Sequence, residues 1–429
     1  MITSKTSSSL LRKTTLLILL TSTLLTPTLA AHEDLLLTPS QQYEYEYSTS
    51  RIIPKTDLSK SQRQVILSHY APHILLHPRD QWRPADPQAV YEASPRLKKH
   101  DLEGLRMQGM ADPEDEREDK HGLIGGTLNV PIELQHGNEV RDDAEVRAKL
   151  TAQVVQYGFG NRTYLQYWTY FPVNGCQGFR TGLYDGLRTF VRERQENFEW
   201  CNMAYHNGDW EHITIQLSSI WDGSPTSIPP ISKIFLSAHA DGQWLPPSSL
   251  SFTGKTHPII YAALNSHANY AQTGTHKNED KAFNFVSRIT PALTLGAVQR
   301  IMLADVCDLE SDLYTYDVPD GNWGRFVSWR TWEEQKAGEG GDGGIWDLTK
   351  REEWPGFAFF RGRWGMPVDQ TRFLAPPEGV SARSQLYGAL RTAQRLGVLK
   401  KFVHPYERAP KGPRQHKNWY NLDRPFDPR

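Results

Sequence analysis

The chain has 429 residues, 38% of them hydrophobic, with 13 Trp and 18 Tyr, enough apolar material for one large or two modest aromatic-rich domains. Its 48 basic and 49 acidic residues leave a net charge of −1, which removes any global electrostatic case for a nucleic-acid partner. Only three cysteines occur, Cys176, Cys201 and Cys307, which excludes paired Cys-x-x-Cys metal sites and leaves room for at most one disulfide.

Residues 1–30 read as a secretory signal peptide. Lys5, Arg12 and Lys13 precede an apolar run from Leu17 to Leu25, and small residues follow at Thr28, Ala30 and Ala31. Threonines and Pro27 break that run, too short for a membrane span, and no later segment is a candidate. Residues 31–60 lack periodicity and read as a mobile lead-in. Ser61 to His69 is predicted as a short helix, and His73 to His77 as a buried strand ended by Pro78. Residues 94–122 are dense in charge and read as a surface excursion, and 142–150 as a short helix. Strand signals then dominate: 154–157, 162–171, 213–217, 233–238, 259–263 and 301–304, with turns expected at Asp222-Gly223 and Asp241-Gly242. Residues 338–344 form a glycine-rich loop without the lysine or the strand-to-helix context of a phosphate loop. Residues 381–401 carry apolar positions at helical spacing, and a basic, irregular tail follows. The pattern predicts a mainly β protein, with a β-sandwich-like aromatic-rich core, peripheral helices and long loops. The β domain is expected over 61–370, with 371–429 as a C-terminal helix and tail.

The most informative stretch is His206-Asn207-Gly208-Asp209-Trp210-Glu211-His212. Side chains of a strand alternate, so Asp209 and Glu211 should share a face. Gly208 permits a bend that would swing His206 back toward them. An imidazole and two carboxylates make an oxygen-rich pocket for a hard divalent ion, Ca²⁺ or Mg²⁺ before Zn²⁺. Equally ordinary is a pair of solvated or salt-bridged acids beside a loop histidine. His267, at the end of a predicted strand, is a candidate further metal ligand or general base, and His206 shares the catalytic candidacy. His239 with Asp241 is a candidate ligand-binding pair, and Asp305 and Asp308 are candidate carboxylates. His212 should face away from Glu211. Trp168, Tyr170 and Trp210 read as core. Cys176 and Cys201 either close a disulfide before the motif, contributing about 3 kcal/mol in the chain-entropy model, or remain buried thiols. Asn161 opens a glycosylation sequon. No Gly-x-Ser-x-Gly elbow or His-Glu-x-x-His motif is present.

The ordered set of motifs resembles the Vps62 family, named for vacuolar protein sorting-associated protein 62. Its carriers are Tyr70-Ala71-Pro72 with Leu76-His77-Pro78, the aromatic strand from Tyr167 to Gly175, and the His206 to His212 motif. They continue with Phe235 to His239 and Gly242 to Trp244, Pro258 to Tyr261, Ser266 to Tyr270, and Gly362-Arg363-Trp364-Gly365. The resemblance covers about residues 65–366. The histidine, aspartate and glutamate spacing is also distantly similar to NPP1-type necrosis-inducing proteins. That likeness implies His206, Asp209 and Glu211 as ligands of a divalent cation in a site that helps recognise a sugar head group. This chain departs from that motif at Gly208, which stands where the likeness expects a second histidine. A further upstream acid has only approximate counterparts in Asn197 and Glu199. Three functions follow as expectations. They are a secreted or vacuolar-route protein binding a glycan or lipid head group through a cation, a metal-assisted hydrolase of phosphoester or glycan, and a non-catalytic factor in vacuolar protein sorting. Whether the chain is an enzyme is left open by its sequence.

Overall fold

The computed structural model describes residues 56–77, 80, 82–97, 126–131, 148–157, 162–175, 177–184, 193–200, 205–239, 241–277, 298–307, 324–327, 344–366, 368–369, 406–407, 409–420 and 422. The expected signal peptide, Asn161, Cys176, Cys201, Asp308, residues 338–343 and the helix at 381–401 lie outside them. Residues from Pro54 onward make one compact unit.

In chain order the described strands are β1 (His73–Leu76), β2 (Arg96–Leu97), β3 (Thr127–Leu128), β4 (Leu150–Tyr157), β5 (Arg162–Asn174), β6 (Gln177–Tyr184), β7 (Glu193–Trp200) and β8 (His206–Leu217). There follow β9 (Ile231–Ala238), β10 (Asp241–Leu245), β11 (Phe252–Thr253), β12 (His257–Ala262), β13 (Asn269–Tyr270), β14 (Gly274–Lys277) and β15 (Val298–Cys307). The last are β16 (Gly324–Val327), β17 (Ile345–Asp347), β18 (Val368–Asp369) and β19 (Tyr406–Glu407). Three helices accompany them, α1 (Lys60–His69), α2 (Pro87–Ala93) and α3 (Lys417–Tyr420). The described protein is mainly β, as its strand signals predict.

The largest described sheet has the order β10-β9-β8-β5-β4-β17, and a second runs β11-β12-β1-β16 with β13 beside β12. A third, β14-β15-β6-β7, contributes Asp305 to the site below. The centre of the largest sheet is buried on both faces. On one face Leu165, Tyr167, Phe171, Ile213, Ile215 and Leu217 join Ile74 and Leu76 of β1 and Ile260 and Ala262 of β12 in a single core cluster. On the other face Trp168, Tyr170 and Trp210 pack with Phe357, Phe360, Trp364 and Trp419. Odd positions of β5 and β8 therefore serve one core and even positions the other, the period-two rule of a strand covered on both sides. Trp168, Tyr170 and Trp210 are core residues, as their setting predicts.

Several boundaries differ from the sequence reading. The His206 motif lies inside β8, paired with β5 from Asn174↔His206 to Phe171↔Asp209 and beyond; polar residues here occupy the sheet's mouth and still complete its ladder. Asp241-Gly242 is not a turn but the start of β10, paired with Ala238 and Ser237. The reversal falls at His239, whose φ of 57° supplies the left-handed residue. Asp305 sits within β15, not after a strand. Ala148 and Lys149 are not helical, and Leu150 opens β4. Leu58, in the expected lead-in, is buried in the core. The tail is also anchored: Gln153 and Gln166 donate to the carbonyls of Trp419 and Asn418 at 2.7 and 2.9 Å. Sequence periodicity does not register such anchors, because side-chain amides hold them.

Helix α1 begins at a capping box in which Ser59 and Gln62 satisfy each other's backbone amides. It buries Arg63, Ile66 and Leu67. Arg63 is fully enclosed: its Nε donates to Asp347 and its Nη2 to Glu353, both at 2.7 Å, and its Nη1 to the Leu58 carbonyl at 2.9 Å. Removing one partner of a buried ion pair leaves the others desolvated and unpaired. Arg63→Met should therefore lower the unfolding free energy by about 3 kcal/mol, near the lower end of the range because Glu353 is 23% exposed. Urea denaturation measures this directly, and an unchanged midpoint would contradict the assignment.

Candidate functional site

The odd-numbered row of β8 ends in two acids. Asp209 and Glu211 continue the row of Ile213, Ile215 and Leu217, so the core face of the sheet becomes a carboxylate pair at one end. Gly208 has φ 72°, and a Cβ there would lie 2.5 Å from the Trp364 carbonyl oxygen. Both facts require glycine at this place in the motif.

Around the pair stands a network that joins three sheets. His267 is fully buried, and its Nδ1–H donates to Asp209 at 3.0 Å while its Nε2 lies 3.5 Å from Asp80. Its ring stacks on Phe171 with centroids 3.7 Å apart and planes 2° from parallel, a geometry that favours an imidazolium over an aromatic face. Asp80 is itself fixed by the backbone amides of Trp82 at 2.9 Å and Asn265 at 3.0 Å. Glu211 accepts from the Ser237 hydroxyl, which in turn accepts from the His212 amide. On the far side Asp305 receives His239 Nε2–H at 2.9 Å, Tyr270 OH at 2.6 Å and Ser266 Oγ at 2.8 Å. His239, Asn265 and His267 all have positive φ, at 57°, 65° and 56°. Such strain costs on the order of 1 kcal/mol or more per residue and persists where surrounding contacts over-determine it, as at ligand sites.

Burial, and then the charge of Asp209, push the Glu211 carboxyl up to about 8 against the Ser237 hydrogen bond and the two imidazoles. Burial opposes the imidazolium of His239, but Asp305, Glu211 and Asp209 raise it to about 9. His267 likewise reaches about 9, with burial overcome by Asp80 and Asp209. Asp305 is held at about 2: burial works against its ionisation, and the charge of His239 and three hydrogen bonds prevail. At neutral pH the cluster thus holds ionised Asp305 and two imidazolium ions, with Glu211 largely protonated.

The structure brings Asp209, Glu211, His267 and His239 into this cluster, together with Asp305. His206 is half-buried, and its Nδ1 meets the carbonyl of Gly208 at 2.7 Å, so the ring is engaged on its own strand. His267 lies between two acids, with Nδ1 on Asp209 at 3.0 Å and Nε2 3.5 Å from Asp80. Asp241 begins β10 beside the His239 turn. His212 points to the opposite face and stacks on Trp168 at 4.4 Å, and burial keeps it neutral. Among the described residues no group of three or more His, Cys, Asp or Glu side chains is spaced to hold a metal ion. The donor chemistry still fits a cation held by Asp209 and Glu211 and completed by water or ligand oxygens, the mode in which Mg²⁺ is commonly bound. Sequence reasoning missed Asp80, Ser237, Asn265, Tyr270 and Phe171, for which only proximity to other motifs gave a signal.

These features define a mainly β protein with a buried acid–imidazole cluster where the core face of its largest sheet ends. The family model described as vacuolar protein sorting-associated protein 62, Vps62, matches residues 49–288, more than half of the chain. The protein belongs to this family. No curated protein matches it. Among solved structures it is similar to necrosis and ethylene inducing protein 2 from the causal agent of cocoa's witches' broom disease, at 14% identity over 51% of this chain and 70% of that one, with a TM-score of 0.23. It is also similar to NLPPya in complex with glucosamine, at 13% identity over 62% and 86% with a TM-score of 0.24. The non-toxic HaNLP3 protein matches at 12% identity over 70% and 95%, with a TM-score of 0.24. Superpositions this loose transfer nothing to the present chain.

A pH dependence follows from the cluster. The folded values of Glu211, His239 and His267 all lie above their ordinary values of 4.5 and 6.5. The folded state binds more protons across that interval, so each group's contribution falls as pH rises, from about 4.5 to 8 for Glu211 and from about 6.5 to 9 for the histidines. His239 contributes less than its shift implies, because its side chain is 25% exposed and solvent screens it. Asp305 adds no slope there, since its stabilisation is complete above 3.8. Below 6.5 the depressed His212 and His69 act in the opposite direction, so thermal melts should show stability declining from about pH 6.5 to pH 9, and Glu211→Gln should flatten that slope below pH 8. An identical slope in the variant would remove Glu211 from the account.

Proposed function

We propose that this cluster is a binding site for a hydroxyl-rich head group, a glycan or the polar end of a glycolipid, on a protein of the secretory or vacuolar route. One observation carries the reading: two acids, Asp209 and Glu211, end one face of β8 inside a cluster that also holds Asp80, Asp305, His239 and His267, with Arg83 acting on Asp80. Asp209, 13% exposed, is where this pair meets solvent. Carboxylates in such a place accept hydrogen bonds from paired hydroxyls, and they attract a divalent cation, Ca²⁺ or Mg²⁺. Asp209 and Glu211 would hold that cation, which would supply a Lewis-acidic contact for ligand hydroxyls. The protein's own residues do the rest: His267 orients Asp209, and Ser237 orients Glu211. The signal-like first thirty residues support the route, and the family's name supports a link with vacuolar sorting.

A second reading, a metal-assisted hydrolase, draws on His239. Asp305 fixes its Nε2 as a donor and leaves Nδ1 as the nitrogen able to exchange a proton. Turnover of a phosphoester or glycoside, lost in a folded Asp209→Ala variant, would move the conclusion to that class.

Elemental analysis and calorimetric titration with CaCl₂ and MgCl₂ test the cation. Asp209→Asn with Glu211→Gln should abolish binding. Wild-type protein at a hundredfold excess over Kd should gain about 2.7 kcal/mol over chelated protein, a gain absent from the double variant. Equal melting temperatures with and without chelator would refute the cation half of the reading.

A further inference from the structure

We infer that Trp82 and Tyr205 form an aromatic subsite for a second sugar ring beside the carboxylate cluster, so that the preferred ligand is an oligosaccharide of at least two residues; this rests on the head-group reading above. Both side chains are partly exposed, and they meet edge-to-face with centroids 6.2 Å apart. Their position is built, not incidental. The Trp82 amide donates to Asp80 at 2.9 Å, and Asp80 contacts His267, which holds Asp209. The Trp82 indole lies on Gly175, where a Cβ would come within 2.5 Å of Nε1. Gly175 closes the end of β5 through its amide bond to the Asn265 carbonyl at 2.8 Å. Tyr205 enters β8 one residue before His206, which pairs with Asn174. The aromatic pair thus borders the mouth at which Asp209 is reached.

Separation decides between one ring and two. Tyr205 precedes Asp209 by four residues, about 13 Å of extended chain, more than the width of one pyranose. A ring whose hydroxyls meet Asp209 would leave the Tyr205 end of the aromatic pair to the next ring of a linear glycan. The C–H face of a pyranose is apolar and suits an indole face, and aromatic residues at a rim combine a large contact area with a polar edge.

The test measures binding of lactose, cellobiose and chitobiose, beside glucose, galactose and N-acetylglucosamine, to the full chain with CaCl₂ or MgCl₂ present. Wild-type protein should bind at least one disaccharide more tightly than its component monosaccharides. Trp82→Ala should weaken that disaccharide about tenfold and leave the monosaccharide unchanged, and Trp82→Phe should recover part of the loss. Tyr205→Ala, at a second position, should act in the same direction, and melting curves confirm that each variant is folded. Equal affinity of the folded Trp82→Ala variant for the disaccharide overturns the subsite, as does an equal loss for both sugar sizes. Binding of tetramethylammonium that depends on Trp82, in place of sugar, overturns it in favour of an ammonium cage. If wild-type protein binds none of the six sugars, the head-group reading fails and the subsite with it, a result distinct from a silent Trp82 substitution.

Discussion

The site depends on one buried imidazole. His267 stands between Asp80 and Asp209, stacks on Phe171 and adopts a left-handed backbone to do so. Each partner lies on a different part of the chain: Asp80 follows β1, Asp209 lies in β8, Phe171 in β5, and His267 on the turn between β12 and β13. Two carboxylates brought this close would repel, and both would be costly to desolvate alone. The imidazolium between them turns that repulsion into two attractions, which is why its proton is held so firmly. Without it Asp209 would lose its buried cation at the end of the β8–β5 ladder.

The same strand also shows how one motif serves two purposes. Its odd positions run from aliphatic core into Asp209 and Glu211, and its even positions, Trp210 and His212, lock into the aromatic cluster behind the sheet. Tyr170, Trp210 and Trp364 meet one another at 4.8 to 5.1 Å between centroids, and Trp364 also closes over Gly208. Rigidity on the far face therefore fixes the backbone that aims the acids on the near face. A positioned carboxylate needs a stiff support more than it needs further ligands.

Much of this was legible from local pattern. Alternation in β5, β8 and β9 located the central strands, the Asp209-to-Glu211 spacing gave a shared face, and the opposite orientation of His212 followed from parity alone. What escaped was non-local. Asp80 carries no pattern of its own and is recruited by the backbone amides of Trp82 and Asn265. Asp305 looked like a residue after a strand because β15 continues through polar positions once hydrogen bonds from His239, Tyr270 and Ser266 satisfy them. His206 was expected to swing toward the acids; its Nδ1 meets the carbonyl of Gly208, two residues on, a local contact that strand alternation does not register. Periodicity describes which face a residue occupies; it does not describe which partner arrives from two hundred residues away.

Charge balance sets the final constraint on what can bind. Asp305 and His239 largely neutralise each other, His267 is shared between Asp80 and Asp209, and Arg83 also acts on Asp80, so the ionised acids are nearly matched and Glu211 is held neutral. Holding Glu211 neutral at physiological pH spares the cluster a further buried anion. A ligand or ion bringing positive charge would displace that proton, and a hydroxyl-rich ligand would use Asp209 as an acceptor. An anionic group arriving alone would meet the field of Asp209. On the head-group reading, a neutral sugar suits this nearly balanced cluster, because it would bind without demanding that the buried protons move.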